Sequence, residues 1–221
     1  MDTSIAPTVE SPAPGVAALL REATDAQHRT AESRPFMTAL MGGDLDLRAY
    51  TLYLAQFARI YAALESRDTV ASDPSVLQDR RLDRAPAIED DLVALGAPDW
   101  RESIPALPAT TAYENRLRAI ARAEPLRLVA HHYTRYLGDL SGGQVMATML
   151  RRHYGATDEQ LSYFRFDELG ALVPYKRGYR DALDALDLTD AEREILVGEA
   201  RAAFDANTAV FDDLHAVTPT R

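Results

Sequence analysis

The residues best suited to chemistry lie in one run, Tyr133-Thr134-Arg135-Tyr136-Leu137-Gly138-Asp139-Leu140-Ser141-Gly142-Gly143-Gln144. Pro125 and Gly155 bracket it where helices open and close, so the spacing predicts one long helix with three interior glycines. Each such glycine destabilises a helix by about 1 kcal/mol relative to alanine. That cost is tolerated where the backbone bends, or where something approaches closer than a Cβ allows. At about 100° per residue, Arg135, Gly138 and Gly142 share one face, with Asp139 and Gly143 on the adjacent strip. A groove bare of side chains with one carboxylate at its edge would seat a flat, bulky ligand. The same glycines would also serve close helix–helix packing, with Asp139 a solvated residue, and the run alone leaves both readings open. A phosphate loop is disfavoured, because the Lys-Ser/Thr ending and the preceding strand are both missing.

His28 is the second candidate. A helix predicted from Val16 to about Glu32 places Arg21, Thr24, His28 and Glu32 on one face. A metal-bound imidazole commonly donates its other N–H to an acceptor that fixes its orientation, and Glu32 one turn later is such an acceptor. An exposed histidine beside an ordinary surface glutamate gives the same pattern. Lys176 and Arg180, one turn apart, suit a ligand with paired carboxylates or form a solvated face. Phe204, Asn207 and Phe211 share a face of the last helix, where an amide between two aromatics calls for a buried polar partner. Tyr61, on an apolar stripe, offers a hydroxyl with the same need.

Other chemistries are excluded by what the chain lacks. The histidines are His28, His131, His132, His153 and His215, and none completes a Glu-x-x-His or His-Glu-x-x-His motif. The absence of cysteine removes thiolate haem ligation, iron–sulfur sites and cysteine nucleophiles. No nucleophile elbow exists in a chain that reads as all-α. A cofactor held by one axial histidine remains, with His28 proximal, the glycine groove distal, and Lys176, Arg180 and Arg21 available for propionates.

These residues need elements to hold them. The length of 221 residues suits one domain, expected over 15–217, with a disordered tail at 1–14 and a short tail at 218–221. After the first helix, Phe36 to Met41 forms a short apolar segment ending at Gly42-Gly43. Asp46 caps a strong helix with Leu47, Tyr50, Leu54, Phe57, Tyr61 and Leu64 facing a core. Prolines punctuate 72–112, where two short helices, about 75–84 and 86–95, precede a looser connection at Trp100. Thr110 to Glu124 is helical and contains Tyr113. After Gly155 comes the aromatic connector Tyr163-Phe164-Arg165-Phe166, then a helix from about Pro174 to Asp187. Thr189 and Glu192 form a capping box for a final helix reaching about Ala216. The net charge of −10 and the lack of a basic stripe argue against nucleic acid. No apolar run is long enough to span a membrane, and no secretory signal is recognised, so a cytoplasmic protein is expected.

The run at 133–144 resembles the signature of the biliverdin-producing haem oxygenases. Glu22-Ala23-Thr24, His28 and Ala31-Glu32 are similar to that family's proximal helix, and Ile60-Tyr61-Ala62-Ala63-Leu64-Glu65 to the segment holding a distal-pocket tyrosine. Tyr113, Arg135 and Phe204-x-x-Asn207-x-x-x-Phe211 match further pocket positions, and Lys176, Tyr179 and Arg180 match the propionate-binding helix. The resemblance covers residues 16–216. It implies a single-domain helical bundle holding haem b between a proximal helix and a glycine-kinked distal helix. His28 would be the axial metal ligand, oriented by Glu32. Gly138 and Gly142 would let bare backbone approach bound O2, and Asp139 would hold a proton-delivering water, supported by Tyr61, Tyr113, Arg135 and Asn207. Arg21, Tyr133, Thr134, Gly143, Lys176, Arg180, Phe204 and Phe211 complete the implied haem contacts. The implied reaction opens haem, as substrate and cofactor, to biliverdin, CO and ferrous iron. It uses O2 and electrons from a separate ferredoxin or flavoprotein reductase, which Arg21, Lys176, Arg177 and Arg180 would help to dock. A monomer or weak dimer is expected. Arg21 departs from the lysine common in the family, keeping the charge but changing its geometry. The chain also lacks the C-terminal apolar anchor of the membrane-tethered members, which implies a soluble form.

Overall fold

The computed structural model describes residues 14–219, and the expected N-terminal tail falls outside them except for Pro14. Among the described residues all regular structure is helical, as the sequence predicts. Helix α1, Val16–Glu32, is followed by α2, Pro35–Gly42, which ends at Gly43 in the left-handed conformation (φ 91°) that glycine adopts without a Cβ penalty. Asp46 then caps α3, Leu47–Glu65, by accepting the Ala49 N–H at 2.9 Å. Tyr50, Leu54, Phe57, Tyr61 and Leu64 are buried along this helix.

The expected helix at 75–84 is instead two 3-10 turns, Ser75–Leu77 and Arg80–Leu82. Asp79 separates them, taking the Arg81 N–H on its side chain as a turn residue does. Helix α4 follows at Ala85–Ala94, and the connection at Trp100 contains a single turn of helix, α5, Trp100–Ser103. Helices α6, Pro108–Ala123, and α7, Pro125–His132, both open on proline.

The single helix expected from Pro125 to Gly155 requires correction. Its middle, Tyr133–Leu137, is π-helical, and α-helix resumes as α8, Gly138–Tyr154. Gly138 itself has ordinary helical angles (φ −62°, ψ −51°), so the irregularity lies in the turn before the glycines. Such turns are rare, occur mostly as single-turn bulges inside α-helices and are frequent at functional sites. This one is anchored on three sides. Tyr136 donates to Glu65 at 2.8 Å, Arg135 donates to Asn207 at 2.5 Å, and Thr134 donates back to the Ala130 carbonyl at 2.9 Å.

Helix α9, Leu172–Asp184, and helix α10, Asp190–Val217, complete the chain, the latter opened by the Thr189–Glu192 capping box. The long α10 packs against α1, α6 and α7, while α3 packs against α4 and α6. Tyr179 on α9 meets His132 at 2.7 Å, fastening α9 to the end of α7.

Candidate active site

A cavity of about 1050 Å³ opens between α1 and the π-turn and α8 that follow α7, with walls contributed by α2, α9 and α10. From α1 it receives Arg21, Thr24, His28 and Glu32. From the distal helix it receives Tyr133, Thr134, Arg135, Gly138, Asp139, Ser141, Gly142 and Gly143. Met37 and Met41 of α2, Tyr53 of α3, Arg180 of α9, and Phe204, Asn207 and Phe211 of α10 also line it.

On the α1 wall, His28 Nδ1 stands 3.4 Å from Glu32 Oε2, and both side chains are more than half exposed. Phe204 meets the His28 ring edge-on, with centroids 5.8 Å apart. Nδ1 is thereby directed at a carboxylate, and Nε2 has no protein partner among the described residues. That is the arrangement of an imidazole whose second nitrogen is available to a metal.

The distal wall separates the two readings of the glycines. A Cβ built at Gly138 or Gly142 would meet no atom within 4 Å. Neither glycine is therefore needed for packing against another helix, and the open space beside each is the cavity. Gly143 differs, since its Cβ would come within 3.1 Å of Phe164. A flat ligand can lie on the bare α8 backbone while His28 takes a metal at its centre, so these residues fit haem.

Asp139 is buried to 6 % exposure, and each carboxylate oxygen accepts a phenol proton. Tyr61 donates to Oδ2, and Tyr163 donates to Oδ1 at 2.8 Å. Arg135 lies 3.7 Å from Oδ1, donates to the Tyr61 hydroxyl at 3.2 Å and stacks its guanidinium over Phe57 at 4.6 Å. Burial pushes the Asp139 carboxyl above its ordinary range, and Arg135, Tyr61 and Tyr163 pull it back only in part. Burial likewise keeps both phenols protonated, so they act as donors. A carboxyl that retains its proton more readily than usual, held in a fixed set of donors, is suited to passing protons.

Two residues named from the sequence lie elsewhere. Tyr113 does not join the Asp139 group. Its hydroxyl meets His131 Nδ1 at 3.0 Å, and His131 Nε2 meets Glu199 at 2.8 Å. Lys176 sits one turn before Arg180 but is not part of the cavity lining. Conversely, Tyr163 belongs to the Asp139 group although nothing in linear spacing relates the two. The available signal was a tyrosine in an apolar connector, which must find a polar partner when buried.

The family model described as Heme oxygenase matches residues 15–213. Heme oxygenase 1 of Gallus gallus is 37% identical over 221 residues, covering 97% of this chain and 74% of that protein. The heme oxygenase of Porphyra purpurea is 35% identical over 200 residues, covering 89% of this chain and 85% of that protein. The crystal structure of heme oxygenase-1 from the cyanobacterium Synechocystis, in complex with heme, superposes with a TM-score of 0.86. It has 30% sequence identity and covers 92% of this chain and 93% of that one. With the family model matching almost the whole described chain, relatives above 30% identity over most of their length and the same fold, the chain belongs to the haem oxygenase family.

Proposed function

We propose that this chain binds haem b in the cavity and opens it to biliverdin, releasing CO and ferrous iron. The observation that carries this reading is one cavity lined by the His28–Glu32 pair, the bare backbone of Gly138 and Gly142, and the buried Asp139 with its donors. Bound haem supplies the iron that activates O2, and electrons come from a separate ferredoxin or flavoprotein reductase.

The chain's own residues do the rest. His28 Nε2 takes the iron and Glu32 orients the ring. Arg21 and Arg180 would pair with the propionates, while Lys176, one turn earlier and outside the lining, adds positive charge to the rim. Tyr133, Thr134, Gly143, Phe204 and Phe211 form walls that exclude water. Gly138 and Gly142 would leave bare backbone where a small co-substrate must fit, and Asp139 would hold a water able to deliver protons into the cavity. Arg135 and Asn207 fix Tyr61 and thereby the carboxylate, while Tyr113 supports α7 through His131. The cationic rim of Arg21, Lys176, Arg177 and Arg180 suits an acidic electron donor. The protein acts in the cytoplasm as a monomer or weak dimer.

Haemin titration followed by reductant in air tests this reading. A sharp equimolar Soret complex that decays to a biliverdin spectrum with CO release is expected, and a complex that persists unchanged would mark a haem carrier instead. His28→Ala is expected to lose the axial-ligand spectrum and at least 100-fold in turnover, about the loss that follows when a reacting centre is no longer positioned.

Gly142→Ala separates ligand approach from packing. Because its Cβ meets nothing in the protein, the substitution is expected to stabilise the apoprotein by up to about 1 kcal/mol through helix propensity. It should simultaneously slow biliverdin formation by about tenfold by displacing the ligand from the wall. Urea midpoints and turnover rates check the two halves. Destabilisation would return the glycine to a packing role.

A further inference from the structure

We propose that Tyr163 is a positioning residue for ring opening, its phenol clamping Asp139 Oδ1 so that the carboxylate faces the cavity in one fixed plane. This rests on the reading of the cavity as a haem site. Tyr163 is 1% exposed, lines the cavity, and stands 3.2 Å from the Tyr61 hydroxyl as well as 2.8 Å from Asp139. Packing alone would be satisfied by phenylalanine. The hydroxyl adds only polar contacts, and they converge on Asp139 and its phenol partners.

The segment that holds Tyr163 is fixed from two sides. Asp91 of α4, fully buried, accepts the backbone N–H of Ser162 at 2.7 Å and of Tyr163 at 3.0 Å, and also takes the Ser162 hydroxyl. From α8, Gln144 donates to the Phe164 carbonyl at 2.7 Å, and Phe164 rests against Gly143. A buried carboxylate and the Gln144 amide bond thus lock one short 3-10 turn, Ser162–Phe164, against the distal helix.

A single phenol on Oδ2 would leave the carboxylate free to turn about its Cβ–Cγ bond. A second on Oδ1 removes that freedom, and each oxygen still has a lone pair for a water on the cavity side. The groups facing Asp139 are Tyr61 and Tyr53 from α3, Arg135 from the π-turn, Arg84 just before α4, and Tyr163 itself. Of the two phenols donating to the carboxylate, Tyr163 is the one that also lines the cavity.

The test is Tyr163→Phe, read first on the apoprotein. Infrared pH titration of the Asp139 carboxyl, assigned by its disappearance in Asp139→Asn, should show its midpoint rising by about one unit. A phenol donated to a carboxylate favours the ionised form by roughly that amount. Haemin affinity should stay within about twofold, because no ligand contact is lost. Biliverdin formation should fall about tenfold, with the acid limb of its pH profile moving upward. Asp91→Asn, which loosens the turn but keeps the phenol, should move both readouts the same way by less. An unmoved Asp139 titration, or a moved titration with an unmoved rate and pH profile, would overturn the proposal. Failure of the unsubstituted chain to turn haem over would overturn it together with the haem reading. The apoprotein titration tells these failures apart.

Discussion

Replacing Asp139 with alanine is expected to lower biliverdin formation by about 10² to 10³, the range for losing a positioned proton-transfer group. Haemin binding should stay close to that of the unsubstituted chain. The contacts proposed to hold haem belong to His28, Arg21, Arg180 and the aromatic walls, none of which touches the Asp139 carboxylate. Folding should lose about 1–3 kcal/mol, because the buried Arg135 is left without its carboxylate neighbour. The loss is limited because the carboxyl itself lies above its ordinary range, burial outweighing its donors. Arg135 keeps Asn207 and its seat over Phe57 after the substitution. Tyr61 and Tyr163 lose their acceptor, but their hydroxyls face each other at 3.2 Å and can pair. Asp139→Asn sharpens the test. The amide can still accept one phenol but cannot pass a proton, so it should be nearly as slow as alanine. An asparagine variant that turns over normally would leave Asp139 with an orienting role alone, and normal yield from the alanine variant would remove it from proton delivery altogether.

The fold was legible because its punctuation is local. Pro125, Gly155, the Asp46 cap and the Thr189–Glu192 box each act within a turn of where they stand, and the stripe from Leu47 to Leu64 repeats at helical spacing. What escaped was set by tertiary contact. The π-turn at Tyr133–Leu137 has no spacing signal of its own, and its anchors Glu65 and Asn207 arrive from α3 and α10. Residues 75–84 hold enough apolar side chains for a helix, but Asp79 takes a backbone N–H that a helix would need.

The site divides the same way. His28 and Glu32 share one helix face, and Arg135, Gly138 and Gly142 share another with Asp139 on the adjacent strip, so helical arithmetic brings each set together. Tyr163 and Asp139 are joined across two elements, and no periodicity relates them. Tyr113 is the converse case. It sits on α6 beside α7, yet its hydroxyl turns to His131 and away from the cavity.

That second network yields the other large effect. Glu199→Ala is expected to lower stability by about 3 kcal/mol at pH 7, the cost of opening a buried, multiply paired charge. Glu199 of α10 is 2% exposed and accepts from Arg116 of α6, at 3.0 Å to its Nε, and from Arg127 and His131 of α7, each at 2.8 Å. Burial pushes this carboxyl up, but His131, Arg116 and Arg127 together outweigh it and hold it well below the usual range. Burial in turn lowers His131 more than Glu199 raises it, so the ring is neutral at pH 7. It then donates from Nε2 to Glu199 and accepts the Tyr113 hydroxyl at Nδ1. Three helices are thereby tied at one carboxylate, immediately before the π-turn that carries Arg135. Arg116 and Arg127 reach solvent, which screens their share and keeps the expected loss below that of a fully enclosed pair. A depressed carboxyl gives its full stabilisation above the unfolded value, near 4.5, and loses it as pH falls further. The gap between the two chains should therefore be largest at neutral pH and narrow toward pH 3. Urea midpoints at both pH values measure it. A gap that stayed constant would assign Glu199 to packing rather than charge.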